Sequence, residues 1–205
     1  FDGQGHTISG LTIAASSGNT GLFAETGSGA VIQGIVLQDA NVSLSSGSYV
    51  GVGALVGKVS GATEIRDCGV SGSVSTSSSS ALYVGGLVGY VYAKTTVDGC
   101  YGAASVTGGS YSNGKVGGLI GYTYSAADVS NCYVTGEVTS KGAAAGALGY
   151  FSTSSSNKVT LTNCYAACDV GGSASYRYPF AYIYSNYLTA TNCLYESGRE
   201  SNKDN

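Results

Sequence analysis

Hydrophobic and polar positions alternate with a period of two over short runs, and those runs recur with a much longer period. From Cys132 the run CYVTGEV places Cys132, Val134, Gly136 and Val138 on one face and Tyr133, Thr135 and Glu137 on the other. That is the alternation of a half-buried strand. The stretches from Cys68 and Cys164 repeat it, with Val70, Gly72 and Val74, then Ala166, Cys168 and Val170, as their inward sets. Three residues before each cysteine stands another apolar residue (Ile65, Val97, Val129, Leu161), and a spacing of three breaks the alternation, so the chain must bend there. The residue just before the cysteine is Asp67, Gly99, Asn131, Asn163 or Asn192. These types tolerate left-handed backbone, which predicts a corner at that column. A further strand is predicted at each Gly-Leu-Val-Gly segment, where Glu25, Lys58, Tyr90, Tyr122 and Tyr150 share an outward column. A bend at Gly89 would switch faces, so the pattern leaves open whether Leu87 or Val88 points inward. Ser-rich loops (STSSSSAL, GGSYSNGK, STSSSNK) close the turns, and no useful length of chain has helical periodicity.

The cysteines set the longer period. Cys68, Cys100, Cys132 and Cys164 are 32 residues apart, and Cys193 follows after 29. A repeat in the 20–50 residue range is the mark of a solenoid or array. Three short strands in about 32 residues, stacked in register, describe an all-β parallel β-helix, right-handed by the general hand of parallel crossovers. Equivalent positions then lie ~4.8 Å apart in neighbouring coils. The expected organisation is one β-solenoid domain over 1–205: a partial first coil at 1–18, full coils over 19–178, and a degenerate last coil with a polar tail at 179–205. Decay at the ends is usual for solenoids. In the first full unit Phe23 takes the column of Val56, and Ile35 stands where later units have cysteine. The chain opens on Phe1 inside a strand-and-turn motif, without signal peptide or anchor, and reads as a fragment of something longer.

Composition narrows the partners. Apolar residues make up 43% of the 205, enough for a core, while only 10% are charged and the net charge is −3. With nine scattered Lys and Arg there is no basic patch for phosphates, so no nucleic-acid partner is expected. Nor does any run approach the roughly 18 apolar residues of a membrane span, so no membrane insertion is expected.

Candidate chemistry is sparse. Cys68, Cys100, Cys132, Cys164 and Cys193 form one inward column, with Cys168 nearby. Two readings stand: a ladder of stacked thiols, or disulfides, which a six-cysteine secreted chain would suggest. Parallel side-chain directions place neighbouring Cβ atoms too far apart for easy bridging, which favours the ladder. No CxxC pair and a single histidine, His6, in a turn-rich segment argue against a zinc site or a catalytic base. Neither a nucleophile elbow nor a phosphate loop is present, and no cofactor is expected. A polysaccharide lyase or hydrolase is the enzyme alternative. It would need clustered carboxylates, and the repeat offers one outward acidic pair, Glu137 beside Asp169. Tyrosine is the more informative surface residue: Tyr101, Tyr133 and Tyr165 form one outward column, and Tyr90, Tyr122 and Tyr150 a second, extended by Tyr92 and Tyr124. Such columns either stack to stabilise neighbouring coils or present a platform for glycans or partner proteins.

The units GALVGKV…IRDCGVSGSV, GGLVGYV…VDGCYGAASV and GGLIGYT…VSNCYVTGEV resemble the GLUG motif, and FDGQGHTISGL is similar to the stretch that often precedes it. The fourth unit departs from the motif, reading AGALGYF with an insertion before Cys164. The resemblance implies a repeat module of a large secreted or surface protein of bacteria, such as the non-catalytic regions of immunoglobulin A1 metallopeptidases. It brings no catalytic residues. The resulting expectation is a non-enzymatic extracellular module with a spacing or adhesive role. Carbohydrate binding through the tyrosine columns and end-to-end self-association into fibres remain the alternatives, with a glycan or a host or partner cell-surface protein as the expected ligand.

Overall fold

The computed structural model describes residues 1–152, 154, 157–173, 176–182 and 187–199. Its described residues form strands and turns, without helix, in three sheets of 13, 5 and 5 strands. Pairing between coils is parallel throughout. The coil that starts at Leu82 shows the plan. It runs through Leu82–Gly85 in one small sheet and Val88–Val91 in the other, then crosses the large sheet twice, as Thr95–Asp98 and Tyr101–Thr107. Those last two segments meet at the cysteine corner. Two coils earlier, a single strand, Ala30–Leu44, bridges both halves of the large sheet.

The columns read from the sequence are the columns of the structure. Val97 pairs with Ile65 and Val129, Val129 with Leu161, Val106 with Val74 and Val138, and Phe23 with Val56. The corner takes the expected backbone: Asp67, Asn131, Asn163 and Asn192 have φ between 50° and 54°, and Gly99 has 63°. Each of these residues lets the chain turn through the left-handed region without the cost a β-branched residue would carry there.

The Leu87/Val88 question resolves to both. Leu87 and Val88 are each fully buried. Their amides donate to one carbonyl, that of Leu119, at 3.0 Å each, and the same sharing recurs at Leu119/Ile120 on Ala147 and at Leu55/Val56 on Leu87. Two successive N–H groups aimed at one acceptor mean that the chain turns between them, so both side chains enter the core.

One inward assignment is corrected. Gly136, expected to face the interior, is exposed with φ 97°, and Gly72 is half-buried with φ 109°. Their partner column is occupied inward only where a side chain exists, at Ala40, Ala104 and Cys168, all buried. A Cβ added at Gly136 would point along the stack, 2.8 Å from the Ala104 carbonyl oxygen, rather than into the core.

The fourth unit keeps its register despite its altered spacing. Between the large sheet and the Leu82 sheet the third coil uses seven residues, 108–114, where the fourth uses three, 140–142. Further along, the third coil connects Thr123 to Ala127 with three residues, and the fourth connects Phe151 to Val159 with seven. A four-residue deficit in one loop is returned in the next, so Val129 still pairs with Leu161 and Tyr133 with Tyr165.

Candidate functional surface

The Gly-Leu-Val-Gly segment builds an inward fold in the wall of the solenoid. Leu82–Gly85 and Val88–Val91 run on either side of the buried turn, and their outer faces close on each other through glycine. A Cβ on Gly121 would stand 2.6 Å from Val84 N, 2.7 Å from Val84 C and 2.7 Å from Gly89 O; one on Gly53 would stand 2.6 Å from Gly89 N. No real Cβ fits at such separations, so the backbones touch because these positions lack side chains. The result is a crease with a glycine floor, and tyrosines fill its mouth.

Tyr90, Tyr122 and Tyr150 line one wall as the expected column, in register with Lys58. They do not form an open platform. Tyr83, on the opposite wall, lies 4.4 Å from Tyr122 and 4.8 Å from Tyr90, centroid to centroid. Tyr90 and Tyr122 stack at 5.4 Å, Tyr122 and Tyr150 meet at 5.7 Å, and Tyr150 stacks on Tyr182 at 4.9 Å. All three rings of the column are half-buried. Burial pushes the Tyr83 phenol up to about 12, and burial also raises Tyr90 and Tyr122. A phenolate there would lose hydration, which disfavours the charged form. These ring pairs help hold neighbouring coils together, each contributing roughly 0.5–1.5 kcal/mol beyond its area.

Lys115 pairs with Tyr83 in the neighbouring coil and so enters the crease from the same wall. Its ammonium lies 4.3 Å from the centroid of Tyr150 and donates to Asn113 Oδ1 at 2.7 Å. Burial holds its pKa below the usual lysine range. Sequence reasoning passed over Tyr83 and Lys115, although folding the repeat at 32 would have put them in one column.

The other tyrosine column is the exposed one. Tyr101, Tyr133 and Tyr165 occupy matched positions in successive coils. Tyr101 and Tyr133 stack at 5.1 Å with planes 7° apart, and Tyr133 is 46% exposed. The Tyr101 ring lies over Gly69, where any side chain would collide with it. At the far end Tyr165 donates its hydroxyl to Glu196 Oε1 at 2.6 Å. Tyr92 and Tyr124 make a second parallel pair, 5.5 Å apart and each 49% exposed, with the Lys58 ammonium 5.0 Å from the Tyr92 centroid.

The cysteine column packs as a core element. Cys68, Cys100, Cys132 and Cys164 are buried, and Cys193 at the end is half-buried. None of the six cysteines is disulfide-bonded. Each ladder thiol turns toward the carbonyl two residues before it, at 3.0–3.4 Å, and the four buried ones lie 3.7–3.8 Å from a carbonyl of the preceding coil. Hydrogen bonds with Cys132 and Cys68, together with burial, hold Cys100 protonated. Burial pushes the separate Cys168 up to about 12. Cys100 and Cys168 are therefore poor nucleophiles, since the thiolate is the reactive form, while the hydrogen bonds from Cys100 act in the opposite direction on Cys68 and Cys132.

Beside that column runs a polar ladder that the sequence did not announce. Asn163 donates to Asn131 Oδ1 at 3.1 Å, Asn192 to Asn163 Oδ1 at 3.2 Å, and Asn131 to Asp98 Oδ1 at 2.8 Å. Ser130 also donates to Asp98 Oδ1, at 2.6 Å. These two bonds hold the Asp98 carboxyl below the usual carboxylate range.

Glu137 and Asp169 do pair across coils. Arg199, thirty residues on from Asp169, lies 3.3 Å from it and also pairs with Glu196. All of these carboxylates are exposed. His6 is exposed on the first strand. Among the described residues no group of His, Cys, Asp and Glu is arranged to hold a metal ion, and no helix is long and apolar enough to cross a membrane.

The same architecture occurs in the crystal structure of a candidate immunoglobulin A1 protease from Bacteroides ovatus, with a TM-score of 0.72 over 94% of this chain and 20% sequence identity. This chain spans 58% of that protein's length, and at this identity the likeness is one of fold. No curated protein matches the sequence. The model of the GLUG motif matches residues 112–139, the stretch that runs from the end of one Ser-rich loop through the crease and the cysteine corner to Thr139. That stretch is a GLUG motif, and it sits in the middle of a parallel β-solenoid.

Proposed function

We propose that the chain is a non-catalytic module of a large bacterial secreted or surface protein, spacing its neighbours and making contacts through the Tyr101–Tyr133–Tyr165 strip. The observation that carries this reading is the difference between the two tyrosine columns. The rings of the crease column are half-buried and pack on one another, whereas Tyr133 presents about half its surface to solvent on its strand. Tyrosine positions repeating every ~4.8 Å along the backbone, with Tyr101 and Tyr133 stacked at 5.1 Å, suit an extended polymer or a protein surface rather than a compact metabolite, which would want a concave pocket. The extracellular placement draws its support from the GLUG motif and from the fold shared with a candidate protease. The non-catalytic reading rests on the state of the one acidic pair, whose Asp169 is engaged by Arg199 on an open surface. The test is Tyr133→Ala, read by thermal melting and by binding to an array of glycans and host glycoproteins. The reading requires a melting temperature close to the parent's with binding reduced. A variant that melts early yet binds normally when folded would make the strip a structural stack alone.

A further inference from the structure

The crease holds a second feature, independent of the exposed strip. Around Lys115 it widens into a cleft of about 230 Å³, lined by Tyr83, Tyr111, Asn113, Lys115, Tyr122 and Tyr150, among others. Lys115 is half-buried there, on an aromatic face and one amide oxygen, and among the described residues no carboxylate pairs with it. The contrast is Lys58, which lies over tyrosines in the same way but has Glu25 at 3.9 Å. A half-buried ammonium with no counter-ion is an electrostatic deficit that an anion would fill. The surrounding rings offer flat apolar faces and phenolic hydroxyls, which suit a pyranose ring with its C–H groups on one face and hydroxyls at its edge.

We propose that this cleft binds an acidic sugar residue of a glycan, its carboxylate on the Lys115 ammonium and its ring against the tyrosine wall. The size agrees: pockets for drug-sized ligands run from roughly 300 to 1,000 Å³, so this one takes a single ring of a longer chain. The acidic sugar is favoured over an acidic peptide because the walls are aromatic and the cleft offers one cation, whereas an acidic peptide needs a row of them. Burial already holds the Lys115 pKa below the usual lysine range, and a bound carboxylate would raise it again.

The experiment is isothermal titration of the 205-residue chain with a glucuronate-containing oligosaccharide and with the same oligosaccharide after reduction of its carboxyl groups. The expected result is binding of the acidic form and at least about tenfold weaker binding of the reduced form, since a hydrogen-bonded charge is lost. Lys115→Gln should lose about the same factor, and Lys115→Arg should retain most of the affinity. Lys141→Gln, outside the cleft, should change nothing. Equal affinity for the reduced sugar, unchanged binding by Lys115→Gln, tighter binding of polyglutamate than of the sugar, or no binding of the acidic form would each overturn the proposal. The comparison of the two sugars uses the unmodified protein, so it stands even if a variant folds poorly. Tyr133→Ala should keep its affinity for the acidic sugar, and loss of binding in that variant would place the site on the strip and overturn the proposal.

Discussion

Substituting Gly121 by alanine tests the crease most directly. The added methyl would lie 2.6–2.7 Å from three atoms, Val84 N, Val84 C and Gly89 O, all of them backbone. No rotamer change can relieve backbone contacts, so the two small sheets must separate by about an ångström or the coil must distort. Overpacking a filled interior costs about 1–3 kcal/mol, and rigid backbone on the far side places Gly121→Ala near 3 kcal/mol. For a chain of this length 1 kcal/mol moves the melting temperature by about 2–4 °C, so the expected fall is about 6–12 °C. Gly27 supplies the control. A Cβ there meets nothing within 4 Å and φ is not in the left-handed region, so Gly27→Ala should be neutral or slightly stabilising, by up to ~1 kcal/mol. Far-UV circular dichroism melts of both variants decide the matter. If Gly121→Ala melts within 2–3 °C of the parent, a span of about 1 kcal/mol, the glycines are not what lets the two sheets touch, and the account of the crease fails.

Three further outcomes are expected. Asn131→Val places a β-branched residue at φ 54° and removes two rungs of the ladder, for a loss of about 2–3 kcal/mol, while Asn131→Gly should lose only the rungs; equal denaturation midpoints would refute the backbone part of the explanation. The raised phenol of Tyr83 contributes stability that is complete below pH 10 and lost as pH rises toward about 12, so the melting temperature should fall across that window while tyrosinate absorbance lags; Lys115 works in the opposite sense just below 10.5, and a flat melting temperature with all tyrosines titrating near 10 would exclude the buried stack. A colorimetric thiol titration without reductant should read few groups in the folded chain, Cys193 first, and close to all six after unfolding; two or fewer after unfolding would mean disulfides.

The period and the columns were legible because a solenoid repeats each environment every coil, so the sequence states each position several times. Val74, Val106 and Val138 announce an inward site three times over. The cysteine corner was legible for a second reason: few residue types tolerate the left-handed region, and Asp67, Gly99, Asn131, Asn163 and Asn192 are drawn from that set. What stayed hidden depends on relations between columns rather than within one. Tyr83 and Tyr122 touch across a crease, and nothing in a period of 32 says that two walls face each other. The Gly136 error has the same root, since alternation assumes extended backbone and a φ of 97° leaves it. Arg199 was missed beside Asp169 because the last coil is short, with 29 residues from Cys164 to Cys193, which brings the tail closer than a full period would.

The traded loops between the third and fourth coils amount to an insertion and a deletion already performed on this molecule. Four residues leave 108–114 and four enter at 152–158, and the strands on either side keep their partners. Length is therefore a property of the corners, while pairing is a property of the walls, and the two vary separately. A lineage with this architecture can lengthen a loop at one edge of the solenoid, and so change what it displays there, without retuning a single core position. Loop closure makes such changes inexpensive, since doubling a loop costs only about 0.6 kcal/mol. A search keyed to fixed spacing will lose the fourth coil at the place where the chain has used that freedom.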